Sequence, residues 1–310
     1  MSHYRHTIFR CILSLALLNC QAAFATDSLL DLNIRAISRI AYEPFSGLPA
    51  TQKLAITLSS NVDQTSESRE PISAEKRLKL IISPTDNNDF LAKGNQQNLL
   101  LELIANNQQG RFRRIENMYQ QTLRPINPNN IRESEIELTI SIPESQYADA
   151  GSYRLPLDIE LIDMDSGEVL NEEQLVIEIS VAKKVYANIA GAHTNRNSSS
   201  RFAVVNFGVL KTNDSRRVSI QVRGNSLTEV KIKSENQGRL VHQKDPDLFV
   251  NYSVNVDGIA SELDKPLRIT RQVGKTLNGV AYPMDIIIGD AENKFSGKYR
   301  DIITVEVRPK

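Results

Sequence analysis

The chain has no tryptophan, two cysteines and four histidines among its 310 residues. Each scarcity excludes something. Without Trp, ring stacking on a sugar must come from Tyr or Phe. Both cysteines, Cys11 and Cys20, sit near the N-terminus inside a segment with the features of an export signal. The expected mature chain therefore has no disulfide and relies on its hydrophobic cores. His3 and His6 lie in the same segment, while His193 and His242 occupy different polar surroundings. No Gly-x-Ser-x-Gly elbow, HExxH or P-loop occurs. The 37 basic and 37 acidic residues cancel, so nothing points to nucleic acid or to a polybasic membrane anchor. The apolar run Ile12–Leu18 is shorter than the roughly 20 residues that span a bilayer.

Residues 1–25 read as a signal peptide. Arg5 and Arg10 form the basic start, Ile12–Leu18 the apolar part, and Ala23-Phe24-Ala25 the small-residue cleavage site before Thr26. Asn19 stands where a lipoprotein signal wants a small residue, which argues against lipidation of Cys20. Cleavage removes two positive charges and leaves the exported chain mildly acidic. About 285 residues suffice for two domains with cores of their own.

What is present is alternation. The phrase Gly-x-Tyr-Arg occurs twice, as Gly151-Ser152-Tyr153-Arg154 and Gly297-Lys298-Tyr299-Arg300. Each copy opens a run in which every second residue is apolar: Leu155, Leu157, Ile159 and Leu161 after the first, Ile303, Val305 and Val307 after the second. That is the period of a strand with one wet face. A Tyr at such an entrance can pack its ring inward and tie a corner with its hydroxyl.

The fold class expected is all-β, two tandem Ig-like β-sandwich domains, with the boundary near Lys183-Lys184. Strands are expected at Leu30–Ala36, Lys53–Leu58, Arg77–Ile82, Leu99–Ile104, Ile136–Ile142, Tyr153–Asp163 and Gln174–Val181. The last two form a hairpin through Asp165-Ser166-Gly167, with Gln174–Val181 as the closing edge strand. Further strands are expected at Val185–Ile189, Ala203–Leu210, Arg217–Arg223, Val230–Lys233, Asn251–Val256, Leu267–Arg271, Tyr282–Ile288 and Tyr299–Val307. Nothing equivalent to Gln174–Val181 follows the Tyr299 strand. The C-terminal domain is then either open for a strand from another chain, closed by a strand from its own beginning, or a six-stranded variant.

Chemistry is sparse. Asp163-Met164-Asp165-Ser166-Gly167-Glu168 lacks the ligand pattern of a calcium loop and reads as a turn. Glu172-Glu173, and Asp285 with Asp290, alternate onto solvated strand faces. No enzyme, metal or cofactor is expected. The best recognition candidate is the stretch 106–132, read as long and irregular, with Arg111, Phe112, Arg113, Arg114, Tyr119 and Arg124 as binding-loop residues. A weaker candidate is Asp86–Asn95 around Phe90-Leu91. The bland alternative is that Phe112, Ile115 and Tyr119 face the core.

Several phrases together carry a resemblance: Val205-Asn206-Phe207-Gly208-Val209-Leu210, Ser219-Ile220-Gln221-Val222-Arg223, Ser234-Glu235-Asn236-Gln237-Gly238-Arg239-Leu240-Val241-His242, Asn251-Tyr252-Ser253-Val254-Asn255-Val256-Asp257-Gly258, Tyr282-Pro283-Met284-Asp285-Ile286-Ile287-Ile288-Gly289-Asp290 and Ser296-Gly297-Lys298-Tyr299-Arg300-Asp301-Ile302-Ile303-Thr304-Val305. In order and spacing, residues 185–310 resemble the spore-coat-U-type pilin domain of archaic chaperone–usher pili. The N-terminal half resembles it only through its own Gly-x-Tyr-Arg strand.

The resemblance implies an incomplete Ig-like domain over 184–310 that lacks its last strand, with Tyr299, Ile303, Val305 and Val307 lining a strand-acceptor groove. It implies as partners a periplasmic pilus chaperone, an outer-membrane usher, a neighbouring subunit that donates a strand, and an unknown surface receptor. Such domains often carry a disulfide, which this chain lacks. With 26–183 as a further domain, the implied role is a non-catalytic tip adhesin, exported through the periplasm to the surface of a Gram-negative bacterium. The alternatives are an ordinary structural or minor pilin and, further off, a periplasmic chaperone. The run Leu30–Ala36 is expected as a first core strand rather than a donor strand.

Overall fold

The computed structural model describes residues 30–36, 39–60, 75–86, 88–105, 112–127, 134–190, 202–273 and 276–310. The expected signal peptide lies outside them. Among the described residues every regular element is a strand. In the first half these are β1 (Leu30–Ala36), β2 (Arg39–Tyr42), β3 (Ala50–Ser60), β4 (Leu78–Pro84), β5 (Leu91–Lys93) and β6 (Asn98–Leu100). They are followed by β7 (Glu102–Ala105), β8 (Phe112–Ile115), β9 (Met118–Thr122), β10 (Ser134–Ile142), β11 (Gly151–Asp163) and β12 (Val169–Val181). The second half holds β13 (Val185–Ala190), β14 (Ser215–Gly224), β15 (Leu227–Ser234), β16 (Arg239–His242) and β17 (Phe249–Val256). It ends with β18 (Ile259–Ser261), β19 (Leu267–Gln272), β20 (Val280–Ile288), β21 (Tyr299–Arg300) and β22 (Ile303–Pro309).

Alternation puts these strands where they are. In β4, Leu78, Leu80 and Ile82 are at most 1% exposed while the residues between them are half-buried. The first-half sheets, ordered β1-β3-β10-β7 and β2-β12-β11-β4-β9-β8, enclose one core that runs from Leu30 to Val181. The second-half sheets, β13-β14-β20-β17-β16-β21 and β19-β15-β22, enclose another built on Val218, Ile220, Val250, Val254, Ile232 and Ile288. The chain is all-β, in sheets that cover two separate cores.

β1 pairs with β3 along its whole length and buries Leu30 and Leu32. The Leu30–Ala36 run is thus engaged in its own chain. β12 pairs with β11 from Gly151↔Val181 to Ile162↔Val169. It is not the edge of its sheet, however, because β2 adds beside it in parallel, Ile179 against Ile40 and Val181 against Tyr42. The expected strand Leu99–Ile104 forms as two short ones, β6 and β7, which belong to different sheets.

Two more expected strands differ from what forms. Ala203–Leu210 enters no ladder. Residues 203–207 alternate half-buried and exposed as a strand would, yet their main chain makes no main-chain hydrogen bond among the described residues. The Tyr299–Val307 strand is broken into β21 and β22, which belong to different sheets. The break has a cause at Asp301, whose carboxylate accepts from Tyr252 Oη, from Ser234 Oγ (2.5 Å) and from the Asn236 amide (3.1 Å). Turning Asp301 toward this polar knot costs β21–β22 their continuity and leaves Ile302 outside.

The halves meet through polar contacts around Asn225, which is 1% exposed. Its side chain accepts from the Lys184 amide (2.8 Å) and donates to the Ala182 carbonyl (2.9 Å), while its own carbonyl accepts from the Ala150 amide (2.8 Å). Beside it Phe45 and Tyr186 meet edge to face at 5.7 Å, and the Arg223 guanidinium lies 5.0 Å from the Tyr186 ring.

Candidate functional site

Both Gly-x-Tyr-Arg copies build the same corner. Tyr153 Oη donates to the carbonyl of Asp149 (2.9 Å), and Tyr299 Oη to that of Phe295 (2.8 Å), four residues upstream in each case. The motif glycines hold φ of 152° and 158°, a region that side chains with a Cβ avoid. A Cβ on Gly297 would lie 1.9 Å from His242 Nε2, and the His242 ring in turn meets Tyr299 edge-on at 5.2 Å. Burial pushes the Tyr153 hydroxyl above its ordinary pKa, against the hydrogen bond it accepts from Gln97.

Beyond the corner the copies diverge. Tyr153, Leu155, Leu157, Ile159 and Leu161 are all at most 2% exposed. β11 has neighbours on both sides, β12 along one edge and β4 with β5 along the other. Their counterparts Tyr299, Ile303, Val305 and Val307 are only half-buried against the second core. β22 pairs with β15, from Ser234↔Ile303 to Thr228↔Pro309, and with nothing on its other edge among the described residues. β13 lies beside β22 without forming a ladder with it. Also half-buried on this core are Val205 and Phe207, from the unladdered stretch. Around that stretch large apolar side chains stand in water: Phe202 at 76% exposure, Val204 at 66% and Val209 at 81%. The arrangement is an incompletely covered core beside an unpaired strand edge. It holds no catalytic constellation, and no group of three or more metal-ligating side chains occurs among the described residues.

The outer face of the β19-β15-β22 sheet is charged. Glu229, with its side chain 6% exposed, takes Arg268 (2.9 Å), Arg308 (2.6 Å) and Lys310 (3.6 Å). Burial alone would raise this carboxyl. The hydrogen bond and charge of Arg308, with the charges of Arg268 and Lys310, outweigh that and hold it below the usual glutamate range. Glu306 is shared by Lys231 (3.3 Å) and Lys233 (2.8 Å), which likewise keep it low.

The expected binding-loop residues are arranged differently from the reading of 106–132 as a long irregular stretch. Arg111 lies outside the described residues. Phe112, Arg113 and Arg114 are on β8, which forms a hairpin with β9 through Glu116 at φ 51°. Tyr119 on β9 is a core residue, 6% exposed, stacked on Phe112 at 5.1 Å and edge-on to Phe90 at 4.8 Å. Arg113 and Arg114 remain exposed; Arg114 pairs with Asp89 and lies 5.9 Å from the Tyr119 ring. Arg124 follows Leu123, whose amide bonds the Leu78 carbonyl, whereas Tyr119 pairs with Ile82. That offset puts Arg124 roughly 15 Å along the ladder from the Arg113–Arg114 pair. Phe90, centre of the weaker candidate, is fully buried. The Asp163–Glu168 segment forms the hairpin turn, with Gly167 at φ 75° and Asp163 paired to Lys76. Sequence reasoning missed β2, β5, β8, β9 and β18, and the unladdered character of 203–207.

No protein-family profile matches the chain, and no curated protein sequence does. Among solved structures, the chain is similar to one from the CsuC–CsuE chaperone–tip adhesion subunit pre-assembly complex of archaic chaperone–usher Csu pili of Acinetobacter baumannii, at 13% identity over 87% of this chain and 96% of that one, with a TM-score of 0.43. It is also similar to CfaE, the adhesive subunit of CFA/I fimbria of enterotoxigenic Escherichia coli, at 13% identity over 90% and 81% of the two chains, with a TM-score of 0.36. Self-complemented MyfA, the major subunit of Myf fimbriae from Yersinia enterocolitica, matches 49% of this chain and 98% of its own at 10% identity and a TM-score of 0.32. Likenesses this distant carry no weight of their own; the functional reading rests on the geometry of the chain.

Proposed function

We propose that this chain is a non-catalytic subunit of an archaic chaperone–usher pilus, and specifically its tip adhesin. Residues 184–310 form a pilin-like domain of the spore-coat-U type that accepts a strand, and 26–183 a domain that presents a receptor-binding surface. The observation that carries the reading is β22. Its apolar face is half-covered, one edge has no ladder, and its counterpart β11, with the same entrance motif, is covered on both sides. An unpaired edge with an exposed apolar face is a liability in isolation and a template for an added strand. A periplasmic chaperone would cover it first, and a neighbouring subunit's strand would follow during assembly at the outer-membrane usher.

The tip position is supported by β1. A subunit within a shaft must also donate a strand, and the alternating run Leu30–Ala36 is committed to β3. For the receptor surface the best remaining residues are the exposed Arg113 and Arg114 of β8 with the half-buried Phe112. Tyr119 supports the hairpin from within.

The test is expression of the exported chain alone and with a strand-donating chaperone or a synthetic alternating peptide. The expected result is a marginally stable protein whose second half gains hydrogen-exchange protection on addition of the strand. A lone chain in which the β22 amides and side chains are already as protected as those of β11, and which is unaffected by any strand, refutes the proposal. Antibodies to residues 27–183 should label fibre ends; uniform labelling along the shaft would favour the ordinary pilin.

A further inference from the structure

Resting on the reading of β22 as a strand acceptor, we infer that the completing strand belongs to a second protein chain and carries a carboxylate at its outward position beside Arg308. The inward requirement is plain, since Ile303, Val305 and Val307 ask for apolar partners. The outward requirement follows from charge. On the outer face of β19, β15 and β22, the two carboxylates Glu229 and Glu306 serve five cations. Glu306 has two lysines of its own. Glu229 is one buried carboxylate among three cations, and it neutralises them only in part.

The excess lies at one end of the free edge. The Arg308 side chain, on β22 itself, is 64% exposed. The Lys310 ammonium is turned the other way, donating to Thr270 Oγ1 on β19 at 3.1 Å. A strand laid beside β22 at the usual spacing of about 4.8 Å brings its outward side chains next to Thr304, Glu306 and Arg308. Beside Thr304 any residue is tolerated. Beside Glu306 the charges are already met. Beside Arg308 a carboxylate completes the cluster, while a lysine meets a like charge. The device therefore fixes which way along the groove a partner strand sits, a role the apolar alternation cannot perform, because shifting it by two residues leaves its inward face unchanged.

The experiment uses the full exported chain and synthetic nine-residue peptides of alternating Val and Ile with polar outward residues. In separate peptides Glu, Gln or Lys occupies the outward position near one end or the other, so that both strand directions are sampled. The expected result is that one Glu placement binds about fivefold tighter than its Gln counterpart and the Lys peptide more weakly than either. Raising the salt to 1 M should shrink the preference. The variant Arg308→Gln should bind Glu and Gln peptides alike. Arg268→Gln, which contacts the same Glu229 from the far side of β15, should keep the preference. Equal binding of Glu, Gln and Lys peptides in both placements overturns the carboxylate inference and leaves the acceptor reading standing. Failure of every peptide to bind overturns both. A preference that survives Arg308→Gln overturns the assignment to that residue. Should that variant misfold, the Lys-against-Gln comparison on the unaltered chain decides the matter.

Discussion

The half-covered face of β22 makes a quantitative prediction through two equivalent truncations, Leu157→Ala and Val305→Ala. Leu157 is 1% exposed, between β4 and β12. Its truncation should cost about 2–5 kcal/mol, the range for a fully buried leucine. Val305, the middle of the inward row after the second Gly-x-Tyr-Arg, is only half-buried. Removing its two methyl groups at about 0.8 kcal/mol per buried carbon, with half the surface already wet, should cost roughly 1 kcal/mol in the lone chain. Filling the groove covers the other half, so the same truncation should then cost about 2 kcal/mol.

The assay is hydrogen exchange on peptides covering 151–163 and 299–310, read as a function of urea with and without a saturating strand peptide. Each half is thereby measured on its own probe, as separate cores require. The difference that matters is the growth of the Val305 penalty on adding the strand while the Leu157 penalty stays fixed. If Val305→Ala costs as much as Leu157→Ala in the lone chain, the face is not half-open. If its cost is the same with and without the strand, nothing covers it.

Other outcomes follow from the same coordinates. Tyr153→Phe removes the hydroxyl bond to the Asp149 carbonyl and should lower first-half stability by about 1 kcal/mol in urea unfolding; Tyr299→Phe, at a more exposed corner, should cost less. Gly297→Ala adds a Cβ 1.9 Å from His242 Nε2 and strains a φ of 158°, so about 1–3 kcal/mol should be lost and part of it regained with His242→Ala. Gly151→Ala, at φ 152° with nothing within 4 Å of the added atom, should cost only the backbone strain. Because the Glu229 carboxyl is held below its ordinary 4.5 in the folded chain, its stabilising effect is present above about pH 4.5 and lost as the pH falls through the depressed value. Glu229→Gln should flatten that part of the acid-unfolding profile; an unchanged slope would deny the carboxylate its role.

Strands that bury one face over several residues were legible, whether the partner lies near in the chain, as for β11 with β12, or far, as for β10 with β3. β1, β4, β10, β11, β17 and β20 show strict alternation over several residues, and a period of two leaves little else for them to be. The hairpin β8–β9 was hidden because its inward row is Tyr119, Gln121 and Leu123, with a polar residue in the middle; Gln121 is fully buried nonetheless. β2 was hidden for another reason, since four residues are too few for a pattern and its parallel partner β12 lies far along the chain. The failure at 203–207 runs the other way. The alternation is present and the burial obeys it, but a ladder is a property of two strands, and no partner stands beside this one among the described residues. Asp301 was invisible as a break because an Asp between apolar residues is also what an outward strand position looks like. Only the convergence of Tyr252, Ser234 and Asn236 from other strands turns it inward.

The same point governs the two motif copies. Ile303-Thr304-Val305-Glu306-Val307 alternates as cleanly as Leu155-Pro156-Leu157-Asp158-Ile159, and both begin at a tyrosine tied to the carbonyl four residues before it. What separates them is the number of neighbours each strand has, so the difference in burial is a measure of missing chain rather than of weaker sequence. Three half-covered residues, at roughly 1 kcal/mol each for the half still wet, leave about 3 kcal/mol for a completing strand to gain from apolar burial alone. Main-chain hydrogen bonds along the free edge add to it. Against a domain stability of about 5–15 kcal/mol, that is enough for the bound strand to decide whether the second half is durable, and small enough for one strand to be exchanged for another.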